Sequence, residues 1–280
     1  MRLGQIRWND IVMAAIFDAE GARPIPDHSL YDLLVRAEVE KIPLPQLAQQ
    51  QASKTHADTP PIIPIRPPEV WACGCTYKSS AAFRDGEHGT REGFYNHVHR
   101  ADRPEIFFKG TARVCVGLDK DIGIRQDSAF TAPEPELAVL LGRGGQILGY
   151  TLANDVSAWD IERENPLYLP QSKIYNACCA LGPVIVTADE MTDPYDMQIS
   201  CKITRGGQVI FSGSCSTGML AKEIDHLIEF LLRSNTVPPG TVLLTGTGII
   251  VPQEAALQPG DVVSISAPEI GELRNRAVLV

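Results

Sequence analysis

The sequence predicts an α+β fold dominated by mixed sheets, with a small N-terminal domain ahead of a larger one. First, short apolar segments bounded by Gly, Pro or Asp clusters recur at 69–73, 105–109, 122–125, 136–141, 147–153, 183–187, 197–204, 208–213, 241–245, 262–266 and 276–280. That is the pattern of strands in a mixed or antiparallel sheet fold. Second, MLAKEIDHLIEFLLRSN (219–235) keeps a helical period, with Leu220, Ile224, Leu227, Ile228 and Leu231 spaced for one buried face. Third, TPPIIPIRPPEV (59–70) carries five prolines, which forbid a regular helix and read as an extended linker. The boundary therefore falls there, between a domain of residues 1–60 and one of residues 68–280.

The remaining elements follow in order. Ile11–Phe17 is strand-like, and HSLYDLLVRAEVE (28–40) reads as a helix whose Ser29 and Asp32 have capping-box spacing. LPQLAQQQASK (44–54) reads as a second helix. A short helix is expected from Ser157, where S-x-x-D spacing to Asp160 can cap a run ending at the Glu-Asn-Pro of 164–166.

Composition bounds the function. At 280 residues, 44% hydrophobic and 21% charged, the chain can bury one substantial core plus a smaller appendage. A net charge of −9 without any basic block argues against nucleic acid or an acidic membrane surface as partner. No apolar run approaches the ~20 residues that span a bilayer, and the first residues lack a signal-like apolar core. Seven cysteines, two of them adjacent (Cys178 and Cys179), fit reduced thiols in a cytoplasm better than a disulfide framework. Cys73 and Cys75 form a CxC, but zinc would need two more ligands, and no CxxC or HxxxH pattern supplies them.

The chemistry concentrates in PEPELAVLLG (133–142), GYTLANDVSAWD (149–160) and Lys173. Glu134 and Glu136 are two apart, and alternating strand side chains put positions i and i+2 on one face. Glu-x-Glu alone is often a solvated face, but Leu137–Leu141 is wholly apolar and points to an interior strand. Two buried carboxylates would repel and take up protons unless a cation joined them. Asp155 can add a third carboxylate, giving an all-oxygen site for Mg²⁺, Mn²⁺ or Ca²⁺. Lys173, among apolar and small residues, is either a surface lysine or a buried ammonium that stabilises an oxyanion or moves a proton. Gly246, Thr247 and Gly248 follow a strand in VLLTGTGIIV, a turn able to offer N–H groups and a hydroxyl to a substrate carboxylate.

The EPELAV strand, GYTLANDVSAWD, Lys173 with LGPVIV, the LLTGTG turn and LQPGDVVSISAPEIGELRN together resemble the fumarylacetoacetate hydrolase superfamily over residues 68–280. The resemblance implies a mixed β-roll catalytic domain and a divalent cation held by Glu134, Glu136 and Asp155. It also implies Lys173 at the site, Thr247 and Gly246 near the substrate carboxylate, a small anionic 2-keto acid as substrate, and a homo-oligomer, dimer or tetramer.

Within the superfamily, PPEVW, RPEIFFK, TAPEPELAV and ENPLYLPQSKIYNACCALGPVIV most resemble enzymes that dehydrate five-carbon 2-keto-3-deoxy sugar acids. The alternative is a C–C hydrolase of an acylpyruvate or diketo sugar acid, and an inactive metal-binding relic is the non-enzymatic one. Hydrolases of this type carry a water-activating His three residues after a Tyr; here CTYKSSAAFRD has Tyr77 but Ser80 at that place. His88, His97 or His99 would have to replace it, and residues 79–102, with Gly86, Gly89 and Gly93, read as a lid. Elimination also needs a base and an acid. Lys173 is the first candidate and Glu105, an acid among apolar residues, the second, with Arg103 or Lys109 as its alternative ion-pair partners.

Overall fold

The computed structural model of the protein describes residues 1–81 and 94–280. The chain opens with a meander of β1 (Arg2–Trp8), β2 (Ile11–Asp18) and β3 (Gly21–Ile25). Only β2 reads as a strand in the sequence; β1 mixes Arg, Gly and Gln with its apolar residues, and β3 holds Gly and Pro. Helices α1 (Leu30–Glu40) and α2 (Leu44–Gln51) follow, and α1 begins with the expected capping box between Ser29 and Asp32.

Every strand expected after the proline segment is present. They are β4 (Val70–Gly74), β5 (Glu105–Gly110), β7 (Ile122–Ile124), β9 (Pro135–Leu141), β10 (Ile147–Asp155), β12 (Cys179–Thr187), β13 (Gln198–Arg205), β14 (Gln208–Ser216), β15 (Thr241–Leu244), β16 (Val262–Ala267) and β17 (Gly271–Leu279). The short β6 (Cys115–Val116), β8 (Thr131–Ala132) and β11 (Ser157–Ala158) are additional. Four more helices complete the described chain: α3 (Phe94–Arg100), α4 (Trp159–Glu164), α5 (Leu169–Lys173) and α6 (Ile224–Leu232).

Two helix expectations are corrected. The run 219–235 is helical only over α6, because residues 217–219 form a tight 3-10 turn and Leu220 bridges Tyr77 instead. Ile224, Leu227, Ile228 and Leu231 do bury one face. Ser157 is not a helix cap. It lies in β11, its hydroxyl bonds the Asp155 carbonyl, and Asp160 caps the turn at Ser128 and Ala129.

The large sheet runs β3-β2-β1-β12-β10-β9-β15-β4-β5, with β6 added beside β12. A second sheet runs β14-β13-β16-β17-β7, and β8 and β11 form a ribbon. Strands β9 and β12 are buried along their whole length, which explains their continuous apolar runs; a strand covered on both faces has no polar side to show. Pairing of Arg2 with Val186 and Leu3 with Ile185 joins the N-terminal meander to this sheet. Among the described residues no helix is long and apolar enough to cross a membrane, and all seven cysteines are free thiols.

The capping box is open to a direct check. Ser29→Ala removes an acceptor for the Asp32 N–H and should cost about 1 kcal/mol in thermal unfolding, with turnover unchanged.

Candidate active site and metal centre

Two adjacent strands deliver the carboxylates, β9 with Glu134 just ahead of it and Glu136 within it, and β10 with Asp155 at its end. Glu136 lies opposite Ala153 in the antiparallel β9–β10 ladder, and the Asp155 N–H donates to the Glu134 carbonyl at 3.0 Å. Residues opposite each other share a face, so Glu134, Glu136 and Asp155 emerge on the same side. Their ligand oxygens lie within 4.8 Å of one another, and all three residues are buried. Strand β15 pairs with the other edge of β9 and brings the turn after it to Glu136.

Glu134 and Glu136 are each held through one oxygen. Glu134 Oε1 accepts from the Trp159 indole N–H at 2.8 Å and sits 3.0 Å from Lys173 Nζ. Glu136 Oε2 accepts from the Gly246 N–H at 2.5 Å. Asp155 is held at both oxygens, by Lys109 Nζ at 2.5 Å from Oδ1 and Lys173 Nζ at 3.3 Å from Oδ2. Lys173 also donates to Ser157 Oγ at 2.6 Å and lies 4.0 Å from Glu162 Oε2. It is a buried ammonium, not a surface lysine.

The expected substrate role of the Gly246 N–H needs restating, since the anion it meets is Glu136. Gly246 has φ +97°, and a Cβ there would fall 2.0 Å from Thr76 Oγ1, so both conformation and space require glycine. Thr247 is buried beside it, its hydroxyl accepting from the Ile249 N–H at 3.2 Å. Tyr77 is buried against Gly248 and Cys215, and Ser80 is buried where the chain is helical, at 78–81. The rest of the expected lid, including Gly86, His88, Gly89 and Gly93, lies outside the described residues. His99 bonds the Cys75 carbonyl through Nδ1 at 2.8 Å, while His97 lines a cavity.

That cavity, of about 430 Å³, is walled by Tyr95, Val98, Pro104 and Leu169, with His97, Arg103, Glu105 and Glu162 in its polar part; it reaches the carboxylate cluster through Glu162, 4.0 Å from Lys173, while the carboxylate trio and Lys173 lie outside its lining. A larger groove of about 730 Å³ near Met1, Phe17 and Pro183 shares no residue with the carboxylate cluster. Residues 105, 107 and 109 alternate onto one face of β5, and that face serves the site. Lys109 reaches Asp155, the Phe107 ring lies 5.5 Å from Lys173 Nζ, and Glu105 enters the cavity. The partners expected for Glu105 are engaged elsewhere: Lys109 with Asp155, and Arg103 over the Phe230 ring at 5.3 Å.

The electrostatics fit a cation. Burial, then the charges of Asp155 and Glu134, push the Glu136 carboxyl well above the usual range, although Gly246 and Lys173 oppose the rise. Glu136 Oε1 is buried with no hydrogen-bond partner. Burial alone would lower the Lys109 ammonium, but Asp155 outweighs it and holds Lys109 above the usual lysine range. Burial, then Glu136 and Glu105, push the Cys73 thiol well up. Three carboxylate donors with an unused buried oxygen suit a hard divalent cation.

Reading the sequence missed Lys109, Trp159, Ser157 and Glu162 as members of this cluster. Lys109 had a signal, since it shares a strand face with Glu105 in an otherwise apolar segment. Trp159 and Glu162 had none, because they come from a short helix whose direction is set by the β8–β11 ribbon.

Comparison with known proteins gives a consistent result. Residues 70–278 match the family described as Fumarylacetoacetate (FAA) hydrolase C-terminal. The chain is similar to a 2-dehydro-3-deoxy-D-arabinonate dehydratase of Saccharolobus solfataricus, with 49% identity over 213 residues, 75% of this chain and 72% of that protein. A protein of Haloferax volcanii, named as a probable 2-keto-3-deoxyxylonate dehydratase, is 43% identical over 78% of this chain and 75% of its own. The solved structure of a 2-keto-3-deoxy-D-arabinonate dehydratase complexed with magnesium and 2,5-dioxopentanoate matches with a TM-score of 0.84 at 39% identity, covering 100% of this chain and 99% of that one.

Two outcomes are expected from the site geometry. A carboxyl with a raised folded pKa favours folding at low pH, and this contribution is lost as pH rises through that pKa. A cation requires the ionised form, so the gap in melting temperature between metal-loaded and metal-free protein should widen with rising pH. In Gly74→Ala the new Cβ would lie 2.1 Å from Glu105 Oε2, and the flexible carboxylate must swing away. That variant should melt near wild type yet lose turnover as Glu105→Gln does.

Proposed function

The chain belongs to the fumarylacetoacetate hydrolase family, and we propose that it is a divalent-metal-dependent dehydratase of 2-keto-3-deoxy-D-arabinonate. The same compound is also 2-keto-3-deoxy-D-xylonate, since loss of the C3 hydroxyl leaves only C4 to distinguish pentonates. The products are 2,5-dioxopentanoate and water. The observation that carries this reading is the buried trio Glu134, Glu136 and Asp155 with Lys173 among them. The cavity beside it, of about 430 Å³, is of a size that suits a five-carbon acid.

Glu134, Glu136 and Asp155 would hold Mg²⁺, with Mn²⁺ or Ca²⁺ as acceptable substitutes. When bound, the ion supplies Lewis acidity that makes negative charge on the C2 oxygen of the 2-keto acid less costly. The protein's own groups do the rest. Lys173, paired with Glu134 and Asp155 and aimed by Ser157, is placed where that charge gathers. Glu105 lines the same cavity as Glu162. Lys173 and Glu105 share the proton work, one taking the C3 proton and the other protonating the departing C4 oxygen.

The electron count is simple. The C3–H pair becomes the C3=C4 bond as the C4–O bond breaks, and water leaves. A proton then moves from C5 to C3, and the resulting C4=C5 enol becomes the C5 aldehyde. Thr247 and the Gly246 turn, with Tyr77 and Ser80 on the neighbouring wall, form the substrate-binding surface in this reading.

The fold is read as a mixed β-roll over residues 68–280, a reading supported by the family match from residue 70, with residues 1–60 as a small appended domain. A homo-oligomer, dimer or tetramer, working in the cytoplasm completes the reading; the free thiols support that compartment.

The test is a paired assay with Mg²⁺ on the 2-keto-3-deoxy pentonate and on an acylpyruvate, with products identified by mass. Loss of one water from the pentonate, with the acylpyruvate intact, is the expected outcome; cleavage of the acylpyruvate alone would make the enzyme a hydrolase. Lys173→Ala and Glu105→Gln should each lower turnover by about 100-fold or more, and near-wild-type turnover in both would remove them from the chemistry.

A further inference from the structure

Lys109 has no part in the proton steps, yet it is a fully buried charge at the centre of the site. Its ammonium donates to the Val156 carbonyl at 3.1 Å and the Lys173 carbonyl at 2.5 Å, and forms an ion pair with Asp155 Oδ1 at 2.5 Å. All three contacts turn the charge toward the protein's own groups. The acceptors belong to two residues of the site and one peptide between its strands. One is the carboxylate of Asp155, one the carbonyl that follows it, and one the backbone of the lysine that holds the other Asp155 oxygen.

We propose that Lys109 is the positioning residue of the metal centre: its ion pair with Oδ1 fixes the Asp155 carboxylate, and its hydrogen bond ties the backbone of Lys173 to the same point. The inference rests on reading Asp155 as a metal ligand. It completes a pattern already visible in the cluster, where Trp159 holds Glu134 and the Gly246 N–H holds Glu136, each by one oxygen. Lys109 sits at a β-bulge of β5, between Phe108 and Gly110 in the ladder with β4, an irregularity of the kind that re-aims a side chain. An aspartate freed from that grip could rotate toward Lys173 alone, 3.3 Å away, and close the ligand position.

The alternative is that Lys109 merely balances charge. The two roles predict opposite signs for cation affinity. Removing a positive charge beside a cation site strengthens cation binding by Coulomb's law; removing a positioning group weakens it, by about 10–100-fold for groups that orient a ligand.

The experiment is calorimetric titration of the metal-free protein with Mn²⁺ alone, alongside thermal melts, for wild type, Lys109→Met and Lys109→Arg. Lys109→Met should bind Mn²⁺ about 100-fold more weakly, and Lys109→Arg about tenfold more weakly, because a planar fork cannot place its donors on these three converging acceptors. Unchanged or tighter binding in either folded variant overturns the proposal, whatever its melting temperature. Should Lys109→Met fail to fold, Lys109→Arg keeps the charge and decides the question. Absence of Mn²⁺ binding by the wild type would instead bring down the carboxylate reading itself, and the positioning role with it.

Discussion

The site depends on one ionic knot: Asp155 clasped between Lys109 and Lys173 in a region closed to water. Charges in such surroundings are costly unless each finds a counter-charge and good hydrogen bonds. Here the carboxylate meets both ammoniums, and both ammoniums find further acceptors in Ser157 and in the carbonyls of Val156 and Lys173. Two more carboxylates and Glu162 then crowd the same volume. Among the described residues, four carboxylates against two ammoniums leave the cluster formally two charges negative. That is the charge a divalent ion neutralises.

Sheet geometry explains how a single chain assembles this knot from distant segments. Antiparallel pairing of β9 with β10 places Glu136 opposite Ala153 and sets Asp155 beside Glu134. Pairing of β15 with β9 carries Gly246 to Glu136, and pairing of β4 with β5 sets Gly74 opposite Glu105. Glu136, Asp155 and Glu105 thus have their positions fixed by ladders, where a one-residue slip would turn each to the opposite face. The buried strands around them tolerate no such slip, since every residue of β9 and β12 is enclosed.

Much of this was legible in the residues. The spacing of Glu134 and Glu136 before an unbroken apolar run implies a buried pair, and Asp155 at the end of the next strand joins them as expected. The strands after residue 69 were readable because punctuating Gly, Pro and Asp bound them. What escaped was set by long-range contact. Strands β1 and β3 have weak β composition and owe their form to pairing with β2 and β12. Ser157 has the spacing of a helix cap, but its hydroxyl serves Asp155 and Lys173, a tertiary demand that overrides local propensity. Lys109 looked like an ion-pair partner for Glu105, four residues away in sequence, because nothing local reveals a carboxylate on another strand.

The same arrangement bears on which reaction the site favours. Hydrolysis requires a base that activates water, and the place of the usual histidine is held by Ser80, a hydroxyl without basicity at neutral pH. His99 has one ring nitrogen committed to the Cys75 carbonyl. Elimination asks for something different: a donor for the enolate oxygen and carboxyl groups able to carry protons at the C3–C4 bond. In the proposed mechanism Lys173 is the first, and Glu105, which lines a cavity with Glu162, is the second. Tyr95, Val98, Pro104 and Leu169 give that cavity its apolar walls. Ser80 in the place of the usual histidine supports elimination, and His97, on the wall of the same cavity as Glu105 and Glu162, is the described base that a hydrolase would have to recruit instead.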